Sequence, residues 1–144
     1  MYDGIWACAS LLHVPYEILP KVIARLIAAL VDGGVLYASF KYGEEEREAG
    51  GRYFTDLRED GWKKVLEEAE EEMKESRLET VECFVTGDVR EGRGEEKWLN
   101  LIHLSGMAKL LLVTNYFFHY CFHLSKQPSL PNKYLYLSNF YNFL

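Results

Sequence analysis

The chain has 144 residues, 49% of them hydrophobic, which is enough for one domain with a substantial core, about 70% of its unfolded surface being buried on folding. A formal net charge of -6 argues against a nucleic-acid partner, because phosphate-binding surfaces carry clustered Lys and Arg. The average hides a division, since all 22 acidic residues precede Ser105, whereas residues 105–144 carry only Lys109, Lys126 and Lys133.

Tyr2 to Pro15, YDGIWACASLLHVP, reads as a strand that opens into a helix. Its centre, Ile5-Trp6-Ala7-Cys8-Ala9, is apolar without alternation, as expected of a strand covered on both faces in a parallel sheet. Ile18, Leu19, Val22, Ile23, Leu26, Ile27 and Leu30 recur at helical spacing and predict an amphipathic helix over 18–31, with Pro20 in its first turn. Asp32-Gly33-Gly34 is expected to end that helix through a left-handed turn. Val35 to Phe40 reads as a second strand, parallel to the first by a right-handed crossover. Lys41 to Gly51, KYGEEEREAGG, reads as a mobile polar flap.

A second helix is predicted over Asp56–Lys74, capped by Thr55 or Asp56, on the spacing of Leu57, Trp62, Val65, Leu66, Ala69 and Met73. Its acidic run Glu67–Glu72 reads as a solvated face. Leu78–Thr86 alternates apolar and polar residues, and Lys97–Leu104 is a further strand. With the glycine-containing loop between them, they predict an antiparallel pair closing one edge of the sheet.

Beyond Leu104 the composition changes, and nearly half of the chain's aromatic residues fall in residues 105–144. The uncharged stretch Leu110–Leu124 is shorter than the 20 or so residues of a membrane helix, so membrane contact by the tail is not expected. His119 and His123 stand four apart, but no third ligand accompanies them, so no metal site is predicted. Cys8, Cys83 and Cys121 lack CxxC spacing, and Cys8 and Cys83 read as small hydrophobes within strands. The N-terminus lacks the basic region of a signal peptide and begins directly with Tyr2-Asp3-Gly4, and a cytoplasmic location is expected.

No paired carboxylate, Ser-His-Asp, HExxH or phosphate-loop motif is present. The candidate site is instead positional. Ser10 and His13 follow the C-terminal end of the first strand, where ligands bind in open α/β sheets. Lys41 and Tyr42 stand at the same end of the second strand, with Tyr53 and Phe54 across the flap.

Several of these segments together resemble the C-terminal half of a class I S-adenosylmethionine-dependent methyltransferase, of the small bacterial type similar to tellurite-resistance methyltransferases. YDGIWACASLLHVP matches the fourth strand and its exit, and LVDGGVLYASFKYG the fifth. RYFTDLREDGWKKVLEEA matches the next helix, and LETVECFVTGDV with EKWLNLIHL the final antiparallel strands. The resemblance implies an α/β, partial Rossmann-like methyltransferase sheet, strands 4 to 7 of the family order, over residues 1–104. An aromatic C-terminal tail of residues 105–144 lies outside it.

It also implies S-adenosylmethionine as cofactor and a small-molecule methyl acceptor. Ala9, Ser10, Leu11 and His13 would line the cofactor pocket, and Lys41, Tyr42, Tyr53 and Phe54 would face the acceptor. The family's glycine-rich cofactor loop and its acidic ribose ligand have no counterpart in the sequence, so a truncated enzyme, inactive alone, is expected. The alternative reading is a non-catalytic interaction protein that self-associates, or joins a complementing chain, through its exposed sheet edge. A third arrangement has the aromatic tail folding back over that edge.

Overall fold

A computed structural model of the chain describes residues 1–73, 78–106 and 134–137. The fold is mixed α/β. Strand β1 (Tyr2–Ala7) leads through a short 3-10 turn (Leu11–His13) into helix α1 (Leu19–Ala29). Strand β2 (Leu30–Lys41), the hairpin β3 (Glu46–Ala49) and β4 (Arg52–Thr55), helix α2 (Glu59–Glu72), β5 (Leu78–Gly87), β6 (Lys97–Ser105) and β7 (Tyr134–Tyr136) follow. The main sheet has the order β5-β6-β2-β1-β7. β1 is parallel to β2 and to β7, and β6 runs antiparallel to both β2 and β5.

The strand alternation decides where the core lies. Ile5 and Ala7 of β1, Leu36, Ala38 and Phe40 of β2, and Leu99 and Leu101 of β6 belong to one buried cluster with Leu19, Ile23 and Ile27 of α1 and Trp62, Val65 and Ala69 of α2. Both helices therefore pack on the same face of the sheet, and they also touch each other. The intervening residues Val35, Ile102 and Leu104 form a second, smaller cluster with Tyr37, Val81 and Phe84. Trp6 stacks on Tyr37 there, with ring centroids 3.9 Å apart.

The two parallel strands and the antiparallel edge pair agree with the sequence reading. Several local details differ. Helix α1 stops at Ala29, and its C-cap Leu30 is already extended, so Asp32-Gly33-Gly34 lies inside β2 rather than in a helix cap. The register jumps there, from Tyr2↔Leu30 to Gly4↔Val35. Gly33 has φ 76, and a Cβ on Gly34 would stand 2.9 Å from the Val31 carbonyl oxygen. The glycines serve a bulge, where a side chain has neither room nor suitable backbone angles.

The expected mobile flap is an ordered hairpin instead. Glu46 pairs with Thr55 and Ala49 with Arg52, and the two-residue turn places Gly50 at φ 58 and Gly51 at φ 71. Two consecutive positive φ values define the turn whose twist matches an antiparallel hairpin. Replacing both glycines with alanine is expected to cost about 2–4 kcal/mol, at 1–2 kcal/mol per left-handed residue; a loss below 0.5 kcal/mol in urea unfolding would show that the turn relaxes freely.

Helix α2 also begins later than predicted. Its N-cap is Arg58, which makes no side-chain capping bond. The two expected caps are engaged elsewhere, Thr55 Oγ1 donating to the Val14 carbonyl at 2.7 Å and Asp56 holding Arg47 at 2.9 Å. Cys8 and Cys83, read as buried hydrophobes, are both exposed: Cys8 lies past the end of β1, and Cys83 lies on the edge strand β5. The edge of β1 that the interaction reading needed to be open is paired along Gly4–Trp6 with β7. The expectations for Leu110–Leu124, His119, His123 and Cys121 lie outside the described residues.

Candidate functional site

The site is built where β1 and β2 end together. After Ala7 the chain must turn sharply to enter the 3-10 turn, and Ala9 takes a left-handed conformation, φ 48, the one non-glycine residue with positive φ among the described residues. A β-carbon makes this conformation unfavourable. The turn is held by the Ala9 N–H, which donates to Ser39 Oγ on β2 at 2.9 Å. The Ser39 hydroxyl in turn points to Cys8 Sγ at 3.8 Å.

Ser10 is 1% exposed, and its Oγ has no hydrogen-bond partner. A buried hydroxyl without a partner costs about 1–3 kcal/mol. Ser10→Ala is therefore expected to raise the unfolding free energy by about 1 kcal/mol, measured by urea denaturation. A loss of stability would show that the hydroxyl is satisfied in solution. Leu11 is 0% exposed and belongs to the main core, so its side chain is directed away from any ligand at the mouth.

His13 joins the mouth to the hairpin. A carbonyl can only accept, so the 2.6 Å contact between His13 Nδ1 and the Tyr53 carbonyl fixes the Nδ1–H tautomer. The Phe54 ring meets the imidazole edge-on at 4.9 Å. Tyr53 OH donates to Glu46 Oε1 at 2.6 Å, and this bond raises the phenol pKa to about 12. The same bond, with the Tyr16 N–H donating to Glu46 at 2.6 Å, lowers the pKa of the Glu46 carboxyl.

Lys41 closes the far side. Its Nζ is 2.5 Å from Glu96 Oε2 and stands 5.7 Å from the Phe54 ring centroid and 5.9 Å from that of Trp98. Phe54 also receives Arg47 at 4.8 Å. Trp98 donates through Nε1 to Asp88, which Arg90 pairs and holds well below the usual carboxylate range. The cations and aromatic rings of this corner thus already satisfy one another. Tyr42 points elsewhere, its hydroxyl donating to Glu59 of α2 at 3.1 Å.

The structure therefore brings His13, Tyr53, Phe54 and Lys41 into one corner, sets Ala9 and Ser10 beside Ser39, and leaves Leu11 and Tyr42 apart. Sequence reading missed Ser39, Glu46, Arg47, Glu96 and Trp98. Ser39 had a usable signal, a lone hydroxyl within an apolar strand near the end that faces the site. Glu96 and Trp98 meet Lys41 across long sequence separations that periodicity does not reveal, whereas Glu46 and Arg47 pair within the hairpin, with Tyr53 and Asp56, in a segment read as a loop. A shallow, open depression lined by Val81, Glu82, Cys83 and Phe84 lies on β5, separated from β1 by β6 and β2, and has no part in this corner.

Chemically, the mouth offers the buried hydroxyls of Ser10 and Ser39, a turn of exposed backbone and a rim of aromatic rings. No group of His, Cys, Asp and Glu among the described residues could hold a metal ion, and no described helix is long and apolar enough to cross a membrane. No protein-family model matches the chain, and no curated protein matches it.

Proposed function

We propose that residues 1–104 are the acceptor-side half of a class I S-adenosylmethionine-dependent methyltransferase that does not turn over alone. The observation that carries the reading is the strand order β5-β6-β2-β1, with β1 and β2 parallel and β6 antiparallel. It accords with the arrangement implied by the sequence resemblance for strands 4 to 7. The ends of β1 and β2 meet at Ala9–His13 and Ser39–Tyr42, the end of a parallel sheet where ligands bind.

Ser10 Oγ, buried without a partner, fits one flank of such a cofactor. The remaining flank would come from a glycine-rich loop that the sequence lacks. When bound, the cofactor supplies an electrophilic methyl group on sulfur. The part left to the protein is alignment of a small acceptor in line with that group and exclusion of water, which needs no strong base. The corner of His13, Tyr53, Phe54 and Lys41 would wall the acceptor side, held rigid by the hairpin. A cytoplasmic setting suits the exposed thiols of Cys8 and Cys83.

The test is fragment complementation. The 144-residue chain is mixed with the N-terminal half of a tellurite-resistance-type methyltransferase and titrated calorimetrically with S-adenosylhomocysteine. The chain alone is expected to give no binding heat and the mixture a saturable isotherm. Micromolar binding by the chain alone would defeat the claim that it is inactive, and a stable mixed complex without binding would defeat the methyltransferase reading.

A further inference from the structure

The two edges of the core sheet are protected by different means. Edge strand β5 carries Glu79 and Glu82 and has a register shift between Thr80 and Glu82. Charges and bulges of this kind are the ordinary defences of an unpaired edge. β1 carries Asp3 and a register shift only at its start, between Tyr2 and Gly4, and neither a charge nor a bulge along Gly4-Ile5-Trp6-Ala7. This stretch is uncharged, with Ile5 1% and Ala7 0% exposed, and it has the character of an interior strand.

What covers its outer side is β7, a strand of three residues distant in sequence from β1. β7 pairs in parallel through Gly4↔Tyr134, Ile5↔Leu135 and Trp6↔Tyr136. The Leu137 N–H extends the ladder, donating to the Trp6 carbonyl at 2.9 Å. Leu135 and Leu137 pack against the main core. So short a strand contributes few ladder bonds, and an element held by few bonds opens at low free-energy cost.

We propose that β7 is an edge guard: it keeps the chain monomeric by occupying the outer edge of β1, and its release makes Gly4–Ala7 a pairing surface for β1 of a second copy. The second copy fits because the freed edge is apolar and uncharged, and two identical strands related by a two-fold axis pair antiparallel without a new sequence being required. The two sheets then become one through the β1–β1 contact. This conclusion does not depend on the methyltransferase reading.

The experiment uses full-length chain carrying Leu135→Asp and Leu137→Asp, which places two charges against the core and frees the edge. Wild type is expected to be monomeric by light scattering, with the Gly4–Ala7 amides protected from hydrogen exchange. The variant is expected to double in mass at micromolar concentration with those amides still protected, and to return to monomer when a synthetic peptide of residues 131–144 is added. A variant that stays monomeric overturns the proposal, whether its Gly4–Ala7 amides are open or still protected, as does a dimer whose Gly4–Ala7 amides are open. Should the double variant lose protection in β2 and β6 as well, Leu135→Ser in the full chain decides by the same readouts.

Discussion

Trp62→Ala is expected to lower the unfolding free energy by about 4–8 kcal/mol, a large part of the 5–15 kcal/mol available to a domain of this size. Trp62 is 3% exposed and lies where α2 meets the sheet, its ring 5.5 Å from Phe40 and 5.4 Å from His103. Truncation leaves a cavity against both, costing about 3–5 kcal/mol. It also removes the indole N–H that donates to His103 Nε2 at 2.9 Å, leaving a buried acceptor unpaired at about 1–3 kcal/mol more. Trp62→Phe keeps most of the volume and loses only the donor, so its cost should lie near the smaller figure. Urea unfolding followed by far-ultraviolet circular dichroism separates the two terms; equal losses for Ala and Phe would place the whole effect in the hydrogen bond.

His103 sets the second large effect, a loss of stability on mild acidification. It is 0% exposed, and burial pushes its pKa down to about 4 from 6.5. Because Trp62 donates to Nε2, the neutral ring carries its proton on Nδ1, which reaches Thr80 Oγ1 at 3.2 Å. Between pH 6.5 and 4 the unfolded chain takes up a proton that the native chain refuses. The stability conferred by the neutral ring is therefore complete above pH 6.5, declines as the pH falls, and is fully lost below about 4. The full difference is about 3 kcal/mol, at 1.36 kcal/mol per pKa unit. His103→Gln, which retains an acceptor for Trp62, should flatten this part of the pH–stability curve. An unchanged slope in that variant would assign the acid sensitivity to other groups.

The hairpin has a bearing on how the site works. A polar segment with three consecutive glutamates and three glycines is expected to be mobile, yet four ties hold it. They are the Thr55 hydroxyl on the Val14 carbonyl, the His13 ring on the Tyr53 carbonyl, the Tyr16 N–H on Glu46 and the Arg47–Asp56 pair. The wall of the corner is thus preorganised, as positioning chemistry requires. The surface ion pairs contribute little to stability on their own; their effect is to fix the geometry of a two-stranded element that would be marginal in isolation.

Much of the fold was legible because it rests on local periodicity. The helical spacing of Leu19, Ile23 and Ile27 requires a helix with one apolar face, and the mostly apolar run through Leu36 to Phe40 requires a strand covered by other elements. The antiparallel pairing of β5 and β6 followed from alternation and a short glycine-containing loop. The positions of Ser10, His13, Lys41, Tyr53 and Phe54 near one end of the sheet followed from where the strands end.

Only the tertiary structure decided the rest, because it depends on partners distant in sequence. Asp32-Gly33-Gly34 has the composition of a helix cap, and pairing of β2 with β1 converts it into a bulge. Lys41 has the character of a substrate-facing cation, but Glu96, 55 positions away, neutralises it. Tyr134–Tyr136 shows no period that local reasoning can use, and it becomes a strand because β1 presents an unpaired row of backbone groups on which it can pair. Sequence alone determined the two helices, the four strands of the core sheet and the end of that sheet at which the site lies; long-range pairing decided which side chains meet there and what covers the edge of β1.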